Sequence, residues 1–337
     1  MPNTITVAQA KAKFLESVGH QSSTKTIQAY SNALEAFLTM LTDQQIDVLT
    51  FPAAELGENS ITDYVHYTKR LSPATESLYL QVIKNFFEFL DAENLSIINV
   101  SRVRMLMRRR TRRSGAQPLE YPEAEIKHVI ETMQLIAETK DDGTQLESIV
   151  LRDKRDSAII LTLADTGLRV EEVCQLKIGD IDWANKHAIL HGRGSKQSFV
   201  RFSTRAIRAL KNYLDFRSCS DLKTDHWIAA LPLFARHDKG AGKKIKPVTP
   251  TTIRNIVSDR AKRILGEEAA VTITPHTFLH YFVTTILRAT GNLKLAQVLA
   301  RHTNIQITQR YAHLSDDELD KGYYEIFEKN RHNSNDL

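Results

Sequence analysis

Two histidines stand four residues apart in HTFLHYF, which spans residues 276–282. This spacing places His276 and His280 on one face of a helix, where imidazoles serve as catalytic groups or as ordinary core side chains. His302 and Tyr311 follow in LARHTNIQITQRYAH, and each of these residues alone also fits a packing role. The choice between chemistry and packing therefore depends on the rest of the chain.

Two basic residues upstream lie in equally specific contexts. Arg169 follows a helix-ending glycine in TGLRVEEVCQL, and Glu172, three positions later, is within reach of an ion pair. Lys196 lies in HGRGSKQ, a glycine-containing turn between the β-rich runs AIL and SFVRF. These runs predict a β-hairpin with Lys196 near its tip. Taken alone, Arg169 is typical of a surface ion pair and Lys196 of a solvated turn.

Taken in order along the chain, these residues resemble the catalytic domain of the tyrosine recombinases, the phage-integrase and Xer-like family. The family pattern is roughly TGLRxxEL, a hairpin lysine as in GKGxK, then HxLRHxxAT, then LGHxxxxxTxxYxH. This sequence has TGLRVEEV at 166–173, GRGSK at 192–196, HTFLHYFVT at 276–284 and LARHTNIQITQRYAH at 299–313. The helical first hundred residues also resemble the family's core-binding domain, so the resemblance covers most of the chain.

The resemblance implies a site-specific DNA recombinase that cleaves and rejoins DNA through a 3′-phosphotyrosine intermediate. It makes Tyr311 the nucleophile and Lys196 the general acid that protonates the leaving 5′-oxygen. His280 would accept the tyrosine proton or orient its neighbours. Because the covalent intermediate conserves the bond energy, rejoining needs no ATP, and the resemblance implies neither a cofactor nor a metal ion.

The other matching residues would stabilise the charge that develops on the phosphate. Arg169 would supply a bidentate guanidinium, which suits a phosphate better than an ammonium group does. His276 and His302 would donate hydrogen bonds to the same oxygens, and Glu172 would hold Arg169. Preorganised donors of this kind lower the barrier to phosphoryl transfer.

Leu279 departs from the family pattern, because HxLRH places a second arginine at this position. Losing one preorganised donor costs about 10²–10³ in rate, and losing a charged phosphoryl clamp costs about 10³–10⁵, so the leucine predicts impaired cleavage. Three explanations stay open: a deliberate replacement that stalls the enzyme, a natural member that only binds DNA, or another cation, Arg301 or Arg288, in the same space. We expect Leu279→Arg to raise strand cleavage by at least about 100-fold.

The hydrophobic pattern predicts a mainly α protein with a small β-hairpin, in two domains. Residues 1–100 carry four helical segments and predict a small helical bundle, which by the resemblance is the core-binding (SAM-like) DNA-binding domain. Residues 101–118 hold seven arginines and no acidic residue, and predict a basic interdomain linker because the like charges repel each other. Residues 119–337 predict a domain of helices with a short β element, which by the resemblance is the mixed α/β catalytic domain. Its amphipathic last segment, 315–330, is by the resemblance an exchange helix that docks on a neighbouring protomer.

The composition favours a DNA-binding protein of the cytoplasm. The formal net charge is +5 and the pI is about 9.0, which favours a nucleic-acid partner over an acidic substrate. Cys174 and Cys219 fit neither a disulfide framework nor a zinc spacing. No window approaches a membrane span, and the first residues lack the pattern of a signal peptide. We therefore expect a cytoplasmic, nucleoid-associated protein.

The partner that the resemblance implies is double-stranded DNA, bound by a homotetramer on two duplexes that the C-terminal helix links. Basic side chains in both halves are candidates for contacts to the DNA phosphates, which position a protein without reading sequence. The candidates are Lys25, Lys84, Arg104, Arg109, Lys243, Lys244 and Lys246.

Three other functions compete with recombination. A catalytically inactive DNA-binding protein is supported by Leu279. A type IB topoisomerase would use the same residue types, although the chain length, the compact 299–313 segment and the helical N-terminal region favour a recombinase. A metal-dependent enzyme would need a third ligand, and HTFLH lacks the glutamate of HExxH. The sequence leaves integration, excision and chromosome-dimer resolution open.

Overall fold

The computed structural model divides the chain into two compact units. The first unit is Met1–Gln117 and the second is Pro118–Leu337. Within them the structure describes residues 5–19, 22–96, 98–110, 122–139, 143, 146–191, 197–221, 228–238, 245–309 and 311.

The described residues of the first unit form five α-helices around an aromatic core. Ser23 and Ser72 each cap a helix, since their hydroxyls accept hydrogen bonds from the Thr26 and Thr75 backbone N–H groups. Phe37 packs edge-on against Tyr64 and Phe87, with ring centroids 5.2 and 6.0 Å apart. The helices are α1 (Val7–Gly19), α2 (Thr24–Asp43), α3 (Glu58–Thr68), α4 (Pro73–Ala92) and α5 (Val100–Arg110).

Helix α5 forms in the first part of the predicted basic interdomain linker, 101–118, although the like charges there repel each other. Its residues Val103 and Met107 lie four positions apart and are both buried in the core of the first unit. Arg102 and Arg104 pair with Glu58 and Glu88, each at 2.8 Å. Burial of one apolar face and pairing of the flanking arginines thus outweigh the repulsion expected from the sequence. The rest of the predicted linker, 111–118, lies outside the described residues.

The second unit is built around α7, a helix buried along most of its length. Helices α6, α9 and α12 pack against it, and this accounts for its continuous run of buried residues from 154 to 164. The helices of this unit are α6 (Glu123–Glu138), α7 (Glu147–Thr166), α8 (Val170–Gln175), α9 (Thr204–Asp221), α10 (Pro250–Leu265), α11 (Glu267–Thr272), α12 (Pro275–Thr290), α13 (Leu293–Leu299) and α14 (Ile305–Gln309).

A small antiparallel sheet accompanies these helices, in the order β1 (Ile181–Asp182), β2 (His187–His191) and β3 (Gln197–Arg201). Ala188 faces Val200 across the β2–β3 pair and both are buried, whereas Phe199 on the other face is 57% exposed. This alternation is that of a sheet with one face on the core. The mainly helical fold with a β-hairpin is therefore confirmed.

Two predicted elements fall beyond what the structure describes. The hairpin tip at 192–196, with Lys196, is one, and the C-terminal segment 315–330 is the other. Within the described residues, no helix is long and apolar enough to cross a membrane.

Candidate active site

The turn between α7 and α8 positions Arg169. Gly167 ends α7 with φ of 61°, a left-handed conformation that favours glycine. A Cβ atom at this position would lie 2.5 Å from the Phe282 ring, so packing against α12 also requires glycine. The chain then turns through buried Leu168 into Arg169, the N-cap residue of α8.

Glu172 holds Arg169 at the start of α8. One carboxylate oxygen accepts a hydrogen bond from the Arg169 backbone N–H at 2.8 Å, and the other accepts one from Nη1 at 3.3 Å. The Arg169 side chain remains 43% exposed. Its guanidinium is thus oriented by the backbone and a carboxylate, yet open to an external anion.

Helix α12 presents His276, Leu279 and His280. Thr274 and Thr277 form a capping box at its N-terminus, and Pro275 occupies the first turn, where its missing N–H is not needed. The rings of His276 and His280 meet edge to face, with centroids 4.6 Å apart. The predicted common face of the two histidines is therefore present.

Tyr311 lies next to this helix. Its ring meets the ring of His280 at 85°, with centroids 5.0 Å apart. It also packs on an apolar cluster formed by Leu279, Val283 and Ala300 with Ala296. The three rings of His276, His280 and Tyr311 consequently form one continuous row.

His302 is buried at the end of α13. Its Nδ1 lies 2.9 Å from the hydroxyl of Thr308, and the Tyr311 backbone N–H donates to the Thr308 carbonyl at 3.0 Å. Thr308 thereby links the histidine to the tyrosine. Thr308 was recognisable from the sequence, because it occupies the threonine position of the TxxY pattern.

Positive charge surrounds the two histidines nearest Arg169. Burial, followed by the charge of Arg169, lowers the pKa of His276 below its ordinary value. Burial, followed by the charges of Arg169 and Arg301, also lowers the pKa of His302. Both shifts favour the neutral form of the rings, in which each ring carries one N–H.

Arg301, beside His302, belongs to the same arrangement. Its guanidinium donates to the Gly167 carbonyl at 2.8 Å and to the Glu172 carboxylate at 2.9 Å. Arg288, the other cation named for this space, instead pairs with Glu123. Of these two arginines, Arg301 is thus the one that reaches the Arg169 turn.

A cavity of about 560 Å³ adjoins these groups. Its wall joins the start of α8 to α10 and to the first turn of α12, and it includes the basic side chain of Arg254, which the sequence analysis did not select. The lining includes Leu168, Arg169, Glu171, Arg254, His276 and Leu279.

Leu279 is only 4% exposed and packs among apolar side chains. The position that the family pattern gives to arginine is thus filled by a side chain without a hydrogen-bond donor. It faces the Tyr311 cluster on one side and lines the Arg169 cavity on another.

The remaining predicted residues divide by what the structure describes. Lys196, Lys243 and Lys244 lie outside the described residues, and of Arg109 only its place in α5 is described. Lys25 and Lys246 are exposed.

Lys84 and Arg104 share one partner, the carboxylate of Glu88, at 3.9 and 2.8 Å. Their candidacy for phosphate contact stays a prediction. Across the described part of the chain, no group of three or more His, Cys, Asp or Glu residues could hold a metal ion.

Comparison with known proteins identifies the family. The model of the phage integrase family matches residues 131–318. The chain belongs to this family of tyrosine recombinases. The tyrosine recombinase XerC of Bacillus pumilus is 30% identical over 301 residues, which cover 89% of this chain and 90% of that protein. XerC of Bacillus subtilis is 28% identical over 299 residues, 88% of either chain.

Solved structures of tyrosine recombinases share the fold. The XerH site-specific recombinase bound to a palindromic difH substrate, a post-cleavage complex, has a TM-score of 0.67 and 18% identity; the match covers 95% of this chain and 84% of that chain. Membership of the phage integrase family confirms the resemblance on which the choice of site residues rests.

Proposed function

We propose that this phage integrase family member is a site-specific DNA recombinase that cleaves and rejoins strands through a 3′-phosphotyrosine bond at Tyr311. The observation that carries the proposal is the row of His276, His280 and Tyr311 rings beside Arg169. A nucleophile, hydrogen-bond donors and an exposed guanidinium are thereby gathered in one region of the second unit. The relatives named as tyrosine recombinases support the same activity.

In the cleavage step, the Tyr311 hydroxyl oxygen attacks the phosphorus of a DNA phosphodiester. The new Tyr311 O–P bond forms as the bond from phosphorus to the 5′-oxygen breaks. The tyrosine proton passes to a base, for which His280 is the adjacent candidate, and Lys196 supplies a proton to the departing 5′-oxygen. The reverse steps with a new 5′-hydroxyl rejoin the strand without an external energy source.

The neutral histidines and Arg169 would stabilise the transition state. If the Thr308 hydroxyl donates to Nδ1 of His302, the ring proton resides on Nε2 and can be donated to a phosphate oxygen. His276 would donate in the same way, while Glu172 keeps the Arg169 fork oriented. These donors are fixed before the substrate arrives, so they need little reorganisation during the reaction.

Leu279 would make the cleavage step slow. A leucine in an apolar cluster gives no stabilisation to charge on the phosphate, and the missing donor is worth about 10²–10³ in rate. The same observation supports a second candidate function, a DNA-binding protein on the recombinase scaffold that no longer cleaves. The two functions differ in whether any covalent protein–DNA adduct forms.

The partner would be double-stranded DNA of the nucleoid in the cytoplasm, held by a homotetramer on two duplexes. Exposed apolar side chains on α13 and α14 support exchange of the 315–330 segment between protomers, because they offer a neighbour's amphipathic helix an apolar surface. These side chains are Leu295, Val298, Ile305 and Ile307.

A covalent-trapping experiment tests the proposal. The protein is incubated with nicked duplexes made from DNA flanking its own gene, where the nick releases a short strand and prevents rejoining. We expect a denaturation-resistant adduct whose DNA-linked peptide contains Tyr311, and complete loss of the adduct in Tyr311→Phe.

The matched control is the double variant Tyr323→Phe/Tyr324→Phe, which removes the next two tyrosines in the sequence but should keep the adduct. An adduct that persists in Tyr311→Phe would refute the assignment of the nucleophile. Specific DNA binding without an adduct, in the parent and in Leu279→Arg, would instead favour the DNA-binding protein.

A further inference from the structure

Arg301 is held by four acceptors at the edge of the candidate site. Nη2 donates to the Gly167 carbonyl at 2.8 Å and to Glu172 at 2.9 Å, while Nη1 lies 3.4 Å from the Thr166 carbonyl and 3.3 Å from the Leu299 carbonyl. The guanidinium therefore ties the segment after α13 to the turn that carries Arg169.

This placement is costly for an arginine. The side chain is only 10% exposed, and its Nε has no hydrogen-bond partner among the described residues. Its backbone has φ of 55°, a conformation that glycine adopts more readily than arginine. Burial of a charge and a strained backbone are both unfavourable unless other contacts offset their cost. Such strain is often found at functional sites.

The charges around Glu172 do not balance. One carboxylate accepts hydrogen bonds from both Arg169 and Arg301, so two guanidinium groups share a single negative charge. The surplus lies beside His276 and His302, whose titration it affects. An incoming phosphate would supply the missing negative charge at this place.

The position of Arg301 complements the loss at residue 279. Ala300, its chain neighbour, packs in the same apolar cluster as Leu279. The family pattern has arginine at 279 and glycine at 301, whereas this chain has leucine at 279 and arginine at 301. A guanidinium is thus absent from position 279 of α12 and present at position 301, beside a residue that packs against Leu279.

We propose that Arg301 is a positioning residue that partly replaces the missing guanidinium of position 279 by fixing the Arg169 turn and adding positive charge to the site. The proposal rests on the proposed recombinase function. Arg301 acts through Gly167, Glu172 and Arg169, and the slow cleavage attributed to Leu279 is therefore less slow than it would be without Arg301.

The first experiment measures cleavage within preformed protein–DNA complexes, so that binding and chemistry are separated. Arg301→Gly removes the guanidinium and suits the positive φ, and we expect its cleavage rate to fall at least about tenfold while DNA affinity stays within about twofold. Arg301→Lys keeps the charge but loses the planar guanidinium with its several N–H donors. Its cleavage rate should lie between the rates of Arg301→Gly and the parent. Arg288→Ala removes another paired arginine of the second unit and is the matched control, with an unchanged rate.

A double-mutant cycle tests the exchange between the two positions. If Arg301 substitutes for an arginine at 279, Leu279→Arg should accelerate cleavage more in the Arg301→Gly background than in the parent. Equal acceleration in the two backgrounds, or a parental rate in Arg301→Gly, would overturn the proposal.

A second measurement does not depend on activity. NMR titration of the free protein should show a higher pKa for His302 in Arg301→Gly than in the parent, because a neighbouring positive charge is removed. Thermal melts of each variant show whether it folds, and Arg301→Lys provides the comparison if the glycine variant does not. A parent that forms no adduct contradicts the recombinase function, whereas an unchanged His302 pKa contradicts the role of Arg301.

Discussion

Two arginine–carboxylate clusters in the second unit differ in their balance of charge. In the interior cluster, one Asp156 oxygen accepts from Arg155 Nε and Nη2 at 2.9 and 2.7 Å, and the other accepts from Arg260 Nε and Nη2 at 2.9 and 2.6 Å. Arg260 also reaches Asp153 at 2.5 Å. Two arginines thus face two aspartates, and the three residues Arg155, Asp156 and Arg260 are buried.

The site cluster has the opposite character. Arg169 and Arg301 face the single carboxylate of Glu172, and the Arg169 side chain is 43% exposed. A balanced, buried cluster is satisfied by the fold itself, whereas the exposed guanidinium of Arg169, which shares one carboxylate with Arg301, is available to an anion from outside. The first arrangement fits a structural role and the second a phosphate-binding role.

The largest effect is expected from breaking the balanced cluster. Asp156→Asn keeps the size of the side chain but leaves Arg155 and Arg260 without their shared charge, and should lower the free energy of unfolding of the second unit by about 3–5 kcal/mol. Urea unfolding followed by tryptophan fluorescence measures this, because both tryptophans, Trp183 and Trp227, belong to the second unit.

The matched control is Asp238→Asn. Asp238 pairs with Arg236 at 2.7 Å, but this pair is more exposed and should contribute no more than about 1 kcal/mol. Equal losses in the free energy of unfolding would show that the buried cluster contributes no more to stability than an exposed ion pair, and would contradict its structural role.

The local features of the site could be predicted from the sequence, whereas its long-range contacts could not. Helix α12 and the row formed by His276 and His280 follow from local spacing and from the capping residues Thr274 and Pro275, and both were predictable. The partner of Arg301 was not, because Glu172 is 129 positions away along the chain. No local pattern reports such a contact, although the glycine position of the family pattern marked residue 301 as unusual.

Helix α5 illustrates the opposite error. Charge repulsion among its arginines is a local property and favoured an interdomain linker, whereas burial of Val103 and Met107 in the core of the first unit is a tertiary property. A sequence shows repulsion directly but shows the compensating burial only as two apolar residues four positions apart. Tertiary contacts therefore stabilise α5 as a helix despite the repulsion among its arginines.

An arginine at position 279 would add a third guanidinium to the site cluster. Leu279 lines the cavity of about 560 Å³ that Arg169 also lines, so a longer side chain has space to extend toward the same region. We expect Leu279→Arg to raise the rate of strand cleavage by at least about 100-fold, which is about 2.7 kcal/mol of transition-state stabilisation. Single-turnover adduct formation on a nicked duplex measures it.

Leu279→Lys is the control for charge without a planar fork, and should give a smaller increase than the arginine. A rate that does not change in Leu279→Arg would mean that residue 279 is not part of the site. In that case the positive charge of the site would come from Arg169 and Arg301, with Arg254 in the cavity wall, and would need no arginine at position 279.

The smallest effect concerns the pH dependence of the interior region. The Tyr213 hydroxyl accepts a hydrogen bond from the Ala235 backbone N–H at 3.1 Å and shares a second hydrogen bond with Nε2 of His237 at 2.9 Å. Burial, together with the charges of Arg155 and Arg217, lowers the pKa of His237 to about 4. The folded protein thus binds this proton more weakly than the unfolded chain, whose histidine pKa is about 6.5.

The sign of the effect follows from this difference. The contribution of neutral His237 to stability is complete above about pH 6.5 and declines as the pH falls from there toward about 4. In His237→Gln the side-chain amide can still share a hydrogen bond with Tyr213 but cannot be protonated, so the urea midpoint of the second unit should fall less steeply over this range. His276 and His302 titrate with the same sign in both proteins, and the difference between the two curves isolates His237. Parallel curves would mean that protonation of His237 does not destabilise the second unit. The charge balance of the interior would then not distinguish it from the site cluster.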